Sequence, residues 1–186
     1  MTLLSFCGII SEIKTQVIGE FMYSFVYLDK NQKNDFLPRL FDIIYENLYE
    51  LGEPDRSYDV EKQEFINEVG LALEKEPRKL ITCYANGDLV GFLMYYTREN
   101  MLIIEEVQLV KKHQKTMAFY RLCKYLMLNL PKNIETIEAY ADIRNVNSIK
   151  LQKNLGMRII KSENSKMYHF VGDAQKIRKR FERGKL

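Results

Sequence analysis

The stretch MLIIEEVQLV-KKHQKT-MAFYRLCKYLMLNL, residues Met101 to Leu130, decides the fold. Met101 to Val110 is a β-rich apolar run with two carboxylates, Glu105 and Glu106, in its middle. A basic loop without proline follows, Lys111 to Thr116, and opens a helix from Met117 to Leu130. The helix is legible because Phe119, Leu122, Cys123, Leu126 and Leu130 recur at helical spacing. Ile134 to Ile143 then returns as a strand, and Asn145 to Leu155 forms a second amphipathic helix. Gly156 supplies the left-handed stop that helix C-termini favour. A strand end, a run of backbone amides and a helix N-terminus are thus expected to meet at one point, where an anionic ligand would be held.

Working outward, the chain punctuates itself. Glu20 to Leu28 predicts a strand and Asp29 to Gln32 a turn. Helices are expected over Leu37 to Leu51, stopped by Gly52 and Pro54, and over Asp59 to Glu74, with Pro77 beyond. Leu80 to Tyr84 and Leu89 to Thr97 flank Asn86-Gly87-Asp88, a hairpin signal of Asn-Gly type. Arg158 to Lys161 and Met167 to Val171 close as an antiparallel pair. The expected division is an N-terminal extension over 1–19, a strand or hairpin; a domain over 20–172; and a basic C-terminal helix or tail over 173–186.

Composition bounds the function classes. At 186 residues, with 46% hydrophobic and 28% charged, the chain has single-domain length and ordinary globular composition. No run approaches the ~18 apolar residues of a membrane span, and Met1 to Ile10 lacks the basic flank of a secretory signal. Cys7, Cys83 and Cys123 are scattered without metal spacing and fit a reducing compartment, so a cytoplasmic location is expected. The formal charge of +3 is uneven: Asp173 to Leu186 carries +4 and the remainder −1. No broad phosphate-tracking surface follows, so no nucleic-acid partner is expected. His113 and His169 make no ligand spacing with Cys or Asp, and no metal site is expected.

Two segments carry a resemblance. Gln114-Lys115-Thr116-Met117-Ala118-Phe119 and Asn145-Val146-Asn147-Ser148-Ile149-Lys150-Leu151-Gln152-Lys153-Asn154-Leu155-Gly156-Met157 resemble the two motifs of the GNAT family of acyl-CoA-dependent N-acetyltransferases. In the second, Asn145, Ile149, Leu151, Leu155 and Gly156 stand in place. In the first, Met117 and Phe119 occupy both glycine positions. The order β-α-α-β-β-β-α-β-α-β-β is also that of the family, and the resemblance covers roughly residues 20 to 171. It implies an α/β (α+β) GNAT fold with a mixed central sheet of about six to seven strands flanked by about four helices.

The resemblance also implies a chemistry. Acetyl-CoA would be the co-substrate, and a primary amine, on a small molecule or a peptide, the acceptor. The cofactor-binding positions would be Gln114, Lys115, Thr116, Met117, Ala118, Phe119 and Tyr120 at the loop and Asn145 at the second helix. Asn145 is equally a plain N-cap. Backbone amides around Gln108 and Leu109 would polarise the thioester carbonyl. Glu105 or Glu106 would take the acceptor proton. Because strand neighbours point to opposite faces, only one of the two is expected to face the substrate, with Glu105 ahead on register. Gln152 stands where the family carries its tyrosine acid and cannot donate a titratable proton. Tyr120, Tyr125 and Tyr140 are substitutes, Tyr140 lying where the central strands would diverge. Tyr95 and Tyr96 are candidates to line the acceptor pocket. The same resemblance implies a homodimer. Against this stands a second reading, a GNAT-fold binding or regulatory protein without catalysis, supported by the missing glycines and by Gln152.

Overall fold

The computed structural model describes residues 16–17, 22–49, 56–75, 77–163 and 166–183. Eight strands form one sheet in the order β1-β2-β3-β4-β5-β6-β8-β7. They are β1 (Gln16–Val17), β2 (Met22–Tyr27), β3 (Lys79–Ala85), β4 (Asp88–Arg98), β5 (Met101–Leu109), β6 (Thr136–Asp142), β7 (Arg158–Glu163) and β8 (Met167–Asp173). The helices are α1 (Lys33–Leu48), α2 (Tyr58–Lys75), a single turn α3 (Lys111–Gln114), α4 (Ala118–Asn129), α5 (Val146–Asn154) and α6 (Ala174–Glu182). Seven strands are thus of ordinary length, and β1 adds a two-residue edge against β2. The rest of the extension expected over 1–19, the Gly52–Pro54 stop, Cys7 and the end of the basic tail lie outside the described residues.

All neighbours pair antiparallel except β5 and β6, which run parallel and are joined through α4. α1 and α2 cover one face, where Leu37, Leu40, Ile44 and Leu73 meet Leu80 and Phe92. The other face packs α4 and α6 against Ile81, Leu93, Leu102, Ile137 and Phe170. α4 is helical because Ala118, Leu122 and Leu126, all fully buried, fall on one stripe. Burying a leucine there stabilises the fold by roughly 1.5–3 kcal/mol.

Local expectations meet the chain at several points. Asn86 (φ +52°) and Gly87 (φ +94°) make the β3–β4 turn. Asn86 also ties that turn to β2, donating its N–H to Met22 O at 3.0 Å and accepting Met22 N–H on Oδ1 at 3.1 Å. Gly156 takes φ +86° after α5, with its amide on Lys153 O at 2.9 Å, the left-handed stop expected of it. α1 begins one turn earlier than predicted, so that Pro38 sits inside it. The start is set by the preceding 3₁₀ turn, Lys30–Gln32, which already winds the chain toward the helix.

Candidate active site

The parallel pairing of β5 with β6 stops at Ile104–Ala139. Beyond it Glu105 to Leu109 and Tyr140 to Asp142 belong to strands no longer paired with each other, although β5 stays paired to β4 and β6 to β8. This is the one break between neighbouring long strands among the described residues, and it sits where the sequence places its two carboxylates.

A bulge sharpens the break. Ile104 pairs with Tyr95 and Glu106 with Met94, so Glu105 is an extra residue in β5. A bulge resets the alternation of faces. The expectation that Glu105 and Glu106 point to opposite sides is therefore corrected: both serve the side covered by α1 and α2. Glu105 is gripped by Arg78, with Nε to Oε2 at 2.6 Å and Nη2 to Oε1 at 2.7 Å, and the guanidinium lies 5.6 Å from the centre of the Tyr96 ring. Glu106 stands opposite Met94, and Gln108 opposite Phe92, which belongs to the α1–α2 core.

Glu106 has the more telling surroundings. Its Oε1 accepts Gln108 Nε2 at 2.7 Å, and its carboxylate also takes a bond from the Val107 amide. Burial, with a smaller push from Glu105, holds its carboxyl above the usual range, although both hydrogen bonds pull the other way. The Gln108 carbonyl Oε1 accepts Asn47 Nδ2 from α1 at 2.6 Å, and Asn47 Oδ1 accepts Gln114 Nε2 at 2.8 Å. Asn47 Nδ2 and Gln114 Nε2 both reach Leu109 O, at 3.0 and 3.1 Å. A polar chain thus runs from Glu106 to the start of the loop.

Strand parity sorts the two amides expected to polarise a carbonyl. Val110 N–H donates to Val90 O at 2.9 Å, so the Gln108 amide also faces β4, and those of Val107 and Leu109 face the break. Of the two, the Leu109 amide is directed to the break and the Gln108 amide to β4. β4 comes unusually close here: a Cβ on Gly91 would lie 2.4 Å from Gln108 O. Glycine is what lets β5 keep this course.

The loop is tighter than the open run of amides expected. Lys111–Gln114 form a helical turn; the Lys115 amide bonds His113 O, and the Thr116 amide bonds it at 3.3 Å. Ala118 N–H donates to Thr116 Oγ1 at 3.1 Å. A helix start still leaves the Phe119 and Tyr120 amides without intrahelical acceptors. Neither glycine position needs glycine: Met117 has φ −74° and ψ 0°, and Phe119 lies within α4. Met117 is 52% exposed, whereas Phe119 packs on the core. Lys111, Lys112, Gln114 and Lys115 are exposed, and the Gln114 side chain bonds Asn47. The loop is braced from below by Tyr23, whose hydroxyl lies 2.8 Å from His113 Nδ1 and 3.0 Å from Thr116 Oγ1. Burial, then Lys112, lowers the His113 pKa.

Tyr140 lies one residue past the last β5–β6 pair, 40% exposed and stacked on His169 at 4.5 Å. Its neighbours Ala139 and Ala141 enter the α4–α6 core, so Tyr140 faces the same side as Glu106. Asn145 caps α5, accepting Ser148 N–H at 2.9 Å. Gln152 lines the opposite side with Leu155 and Phe181. Tyr95 and Tyr96 do not share a pocket: Tyr96 lies under Arg78, while Tyr95 is buried on the α4 side, 3.3 Å from the Tyr27 hydroxyl, and burial raises its pKa. Tyr125 packs beside Phe25 and Tyr27, away from the break. Sequence reasoning missed Asn47, Arg78 and Tyr23, whose partners lie tens of residues away and leave no local signal. Among the described residues no group of three or more His, Cys, Asp or Glu gathers as a metal site, and no helix is long and apolar enough to cross a membrane.

No family model and no curated protein sequence matches the chain. Solved structures do. The PaiA N-acetyltransferase of Thermoplasma acidophilum, in complex with coenzyme A, is 12% identical over 81% of this chain and 98% of its own, with a TM-score of 0.66. An acetyltransferase of Thermus thermophilus is 11% identical over 81% of this chain and 96% of its own, with a TM-score of 0.67. A GNAT-family acetyltransferase of Staphylococcus aureus is 14% identical over 82% of this chain and 99% of its own, with a TM-score of 0.63. With a broken parallel pair at the centre of its sheet and such neighbours at low identity, the chain has the GNAT fold in a divergent sequence.

Proposed function

We propose that the chain is an acetyl-CoA-dependent N-acetyltransferase that acetylates a primary amine by direct attack in a ternary complex. The observation that carries this is Glu106: a half-buried carboxylate with a raised pKa, held at the break by Val107 N–H and Gln108. A base there takes the ammonium proton of the acceptor, so that the amine nitrogen bonds the acetyl carbon and the carbon–sulfur bond breaks. The Leu109 amide faces the break, where it can donate to the carbonyl oxygen as charge develops. Glu105, held by Arg78, is a positioning residue beside Glu106, whose raised pKa comes mainly from burial, with only a small push from Glu105.

The residues fit the co-substrate. Phe119 and Tyr120 offer helix-start amides, and Lys111, Lys112 and Lys115 offer positive charge, for its phosphates. Asn145 stands at the start of α5 on the far side of the break. Tyr140 takes the role of proton donor to the departing thiolate, since Gln152 cannot. Acceptors are small-molecule or peptide amines, and the reaction belongs to a cytoplasmic protein, a homodimer by analogy with its family.

The test is coenzyme A release on mixing the protein and acetyl-CoA with a broad amine panel. Turnover with any amine supports the reading. The compact loop, with Ala118 N–H bonded to Thr116 Oγ1, favours a second reading, a binding or regulatory module without catalysis. Stoichiometric acetyl-CoA binding with no release over the whole panel would select it.

A further inference from the structure

The C-terminal helix lies in the path that the proposed reaction needs. α6 leaves β8 at Asp173, whose carboxylate accepts Lys176 N–H at 2.9 Å, and runs back along α4. Contacts at both ends fix its direction. Near its start, Gln175 Nε2 donates to the carbonyls of Lys132 at 2.9 Å and Ile134 at 3.1 Å, just past the end of α4, and midway Arg178 donates to Met127 O at 3.1 Å and Pro131 O at 3.0 Å. Near its finish, the Tyr120 hydroxyl in the first turn of α4 donates to Phe181 O at 3.2 Å, and the two rings lie 5.2 Å apart. On the other flank Arg180 Nη1 donates to Asn154 O at 2.7 Å, at the end of α5. α6 therefore bridges α4 and α5, with Ile177 and Phe181 buried between them.

The route of an acyl arm is set by the sheet. Phosphates held at the start of α4 lie on one side, and Glu106 serves the other. Intact strand pairing blocks passage except beyond Ile104–Ala139. An extended thioester arm must run between α4 and α5 and enter beside Ile104. Phe181 occupies that space. With Ile104, Ile137, Met127, Gln152 and Leu155 it encloses a cavity of about 20 Å³, room for about one water molecule. Across the mouth, Tyr120 and Phe181 touch.

We propose that α6 is an autoinhibitory element, with Phe181 and Tyr120 closing the groove, so that acyl-CoA binds only molecules in which the last turn of α6 has lifted. This rests on the acyl-CoA reading above. α6 suits the part because Ala174, Ile177 and Phe181 are its buried residues and the rest is largely basic and solvated. An element held by so few apolar contacts opens locally at low cost. The apparent affinity then falls by the fraction of molecules that are open.

The experiment is calorimetric titration of acetyl-CoA into the wild type, Phe181→Ala and Arg180→Ala, with hydrogen exchange followed over residues 174–182. Phe181→Ala is expected to bind about tenfold tighter or better. Arg180→Ala, which removes only an exposed tie to α5, is expected to tighten binding less, and wild-type α6 amides lose protection as acetyl-CoA is added. Should Phe181→Ala fail to fold, Arg180→Ala and the exchange data decide. Equal or weaker binding by the variants, with α6 protection unchanged, overturns the proposal, makes α6 a fixed wall, and leaves the transferase reading standing. Binding by none of the three folded proteins overturns both.

Discussion

The two sides of the sheet at β5 are built on opposite principles. On the α1–α2 side the strand carries Glu105, Glu106 and Gln108, each bonded to a named partner: Arg78, Gln108 and Asn47. On the α4–α6 side it carries Ile104, Val107 and Leu109, packed against the apolar core. One strand thus presents a wired polar surface to one layer and a hydrocarbon surface to the other, and the bulge at Glu105 makes this possible by putting two carboxylates on one side. Polar chemistry and apolar packing are thus kept on separate sides of one strand. In the proposed reaction, proton transfer belongs to the first side, and admission of the acyl arm to the second.

The largest effect expected from breaking this division is on turnover. Glu106→Gln keeps the size and the bond to Gln108 and removes the base, so kcat should fall by about 10²–10⁴-fold with acetyl-CoA affinity little changed, as steady-state kinetics and titration would show. On the hydrocarbon side Leu126→Ala, at a fully buried position, should cost about 2–5 kcal/mol in denaturant unfolding without moving the pH profile of the remaining activity. Arg78→Ala tests the polar wiring. It leaves Glu105 largely buried without its fork, which should cost about 2–3 kcal/mol, and Arg78→Ala with Glu105→Gln should recover most of it in a double-mutant cycle.

The smallest effect is the most diagnostic of Glu106's surroundings. Its folded pKa is raised above the ordinary 4.5, so between the unfolded and folded values the folded state binds more protons. Stability therefore falls as pH rises through that window and stays lower above it. Glu106→Gln should raise the melting temperature at pH 7, and the gain should vanish below the unfolded value. A lower melting temperature for the variant at pH 7 would show that the hydrogen bonds from Val107 and Gln108, rather than desolvation, dominate.

Much of the architecture was legible because it is local. A β-rich apolar run marked β5, the Asn86-Gly87 turn marked the β3–β4 hairpin, and Asn145 with Gly156 marked both ends of α5. The site was only half legible. Glu105 and Glu106 announce themselves on an apolar strand, but whether they share a side depends on how Met94 and Tyr95 pair with β5, which is a relation between two strands. Asn47 and Arg78 find partners 61 and 27 residues away, and no periodicity encodes that. α6 shows as a basic terminal helix, yet two apolar residues, Ile177 and Phe181, decide where it docks. Its charge pattern says only which side faces water.

The most direct test of the central assignment is kcat/KM for an accepted amine against pH, measured for the wild type and Glu106→Gln side by side. Wild-type activity should rise with pH through a carboxyl titrating above the ordinary 4.5, and the variant should lose both this limb and most of its rate. A variant that keeps wild-type kcat/KM with the same acid limb would contradict the assignment and take Glu106 out of the chemistry.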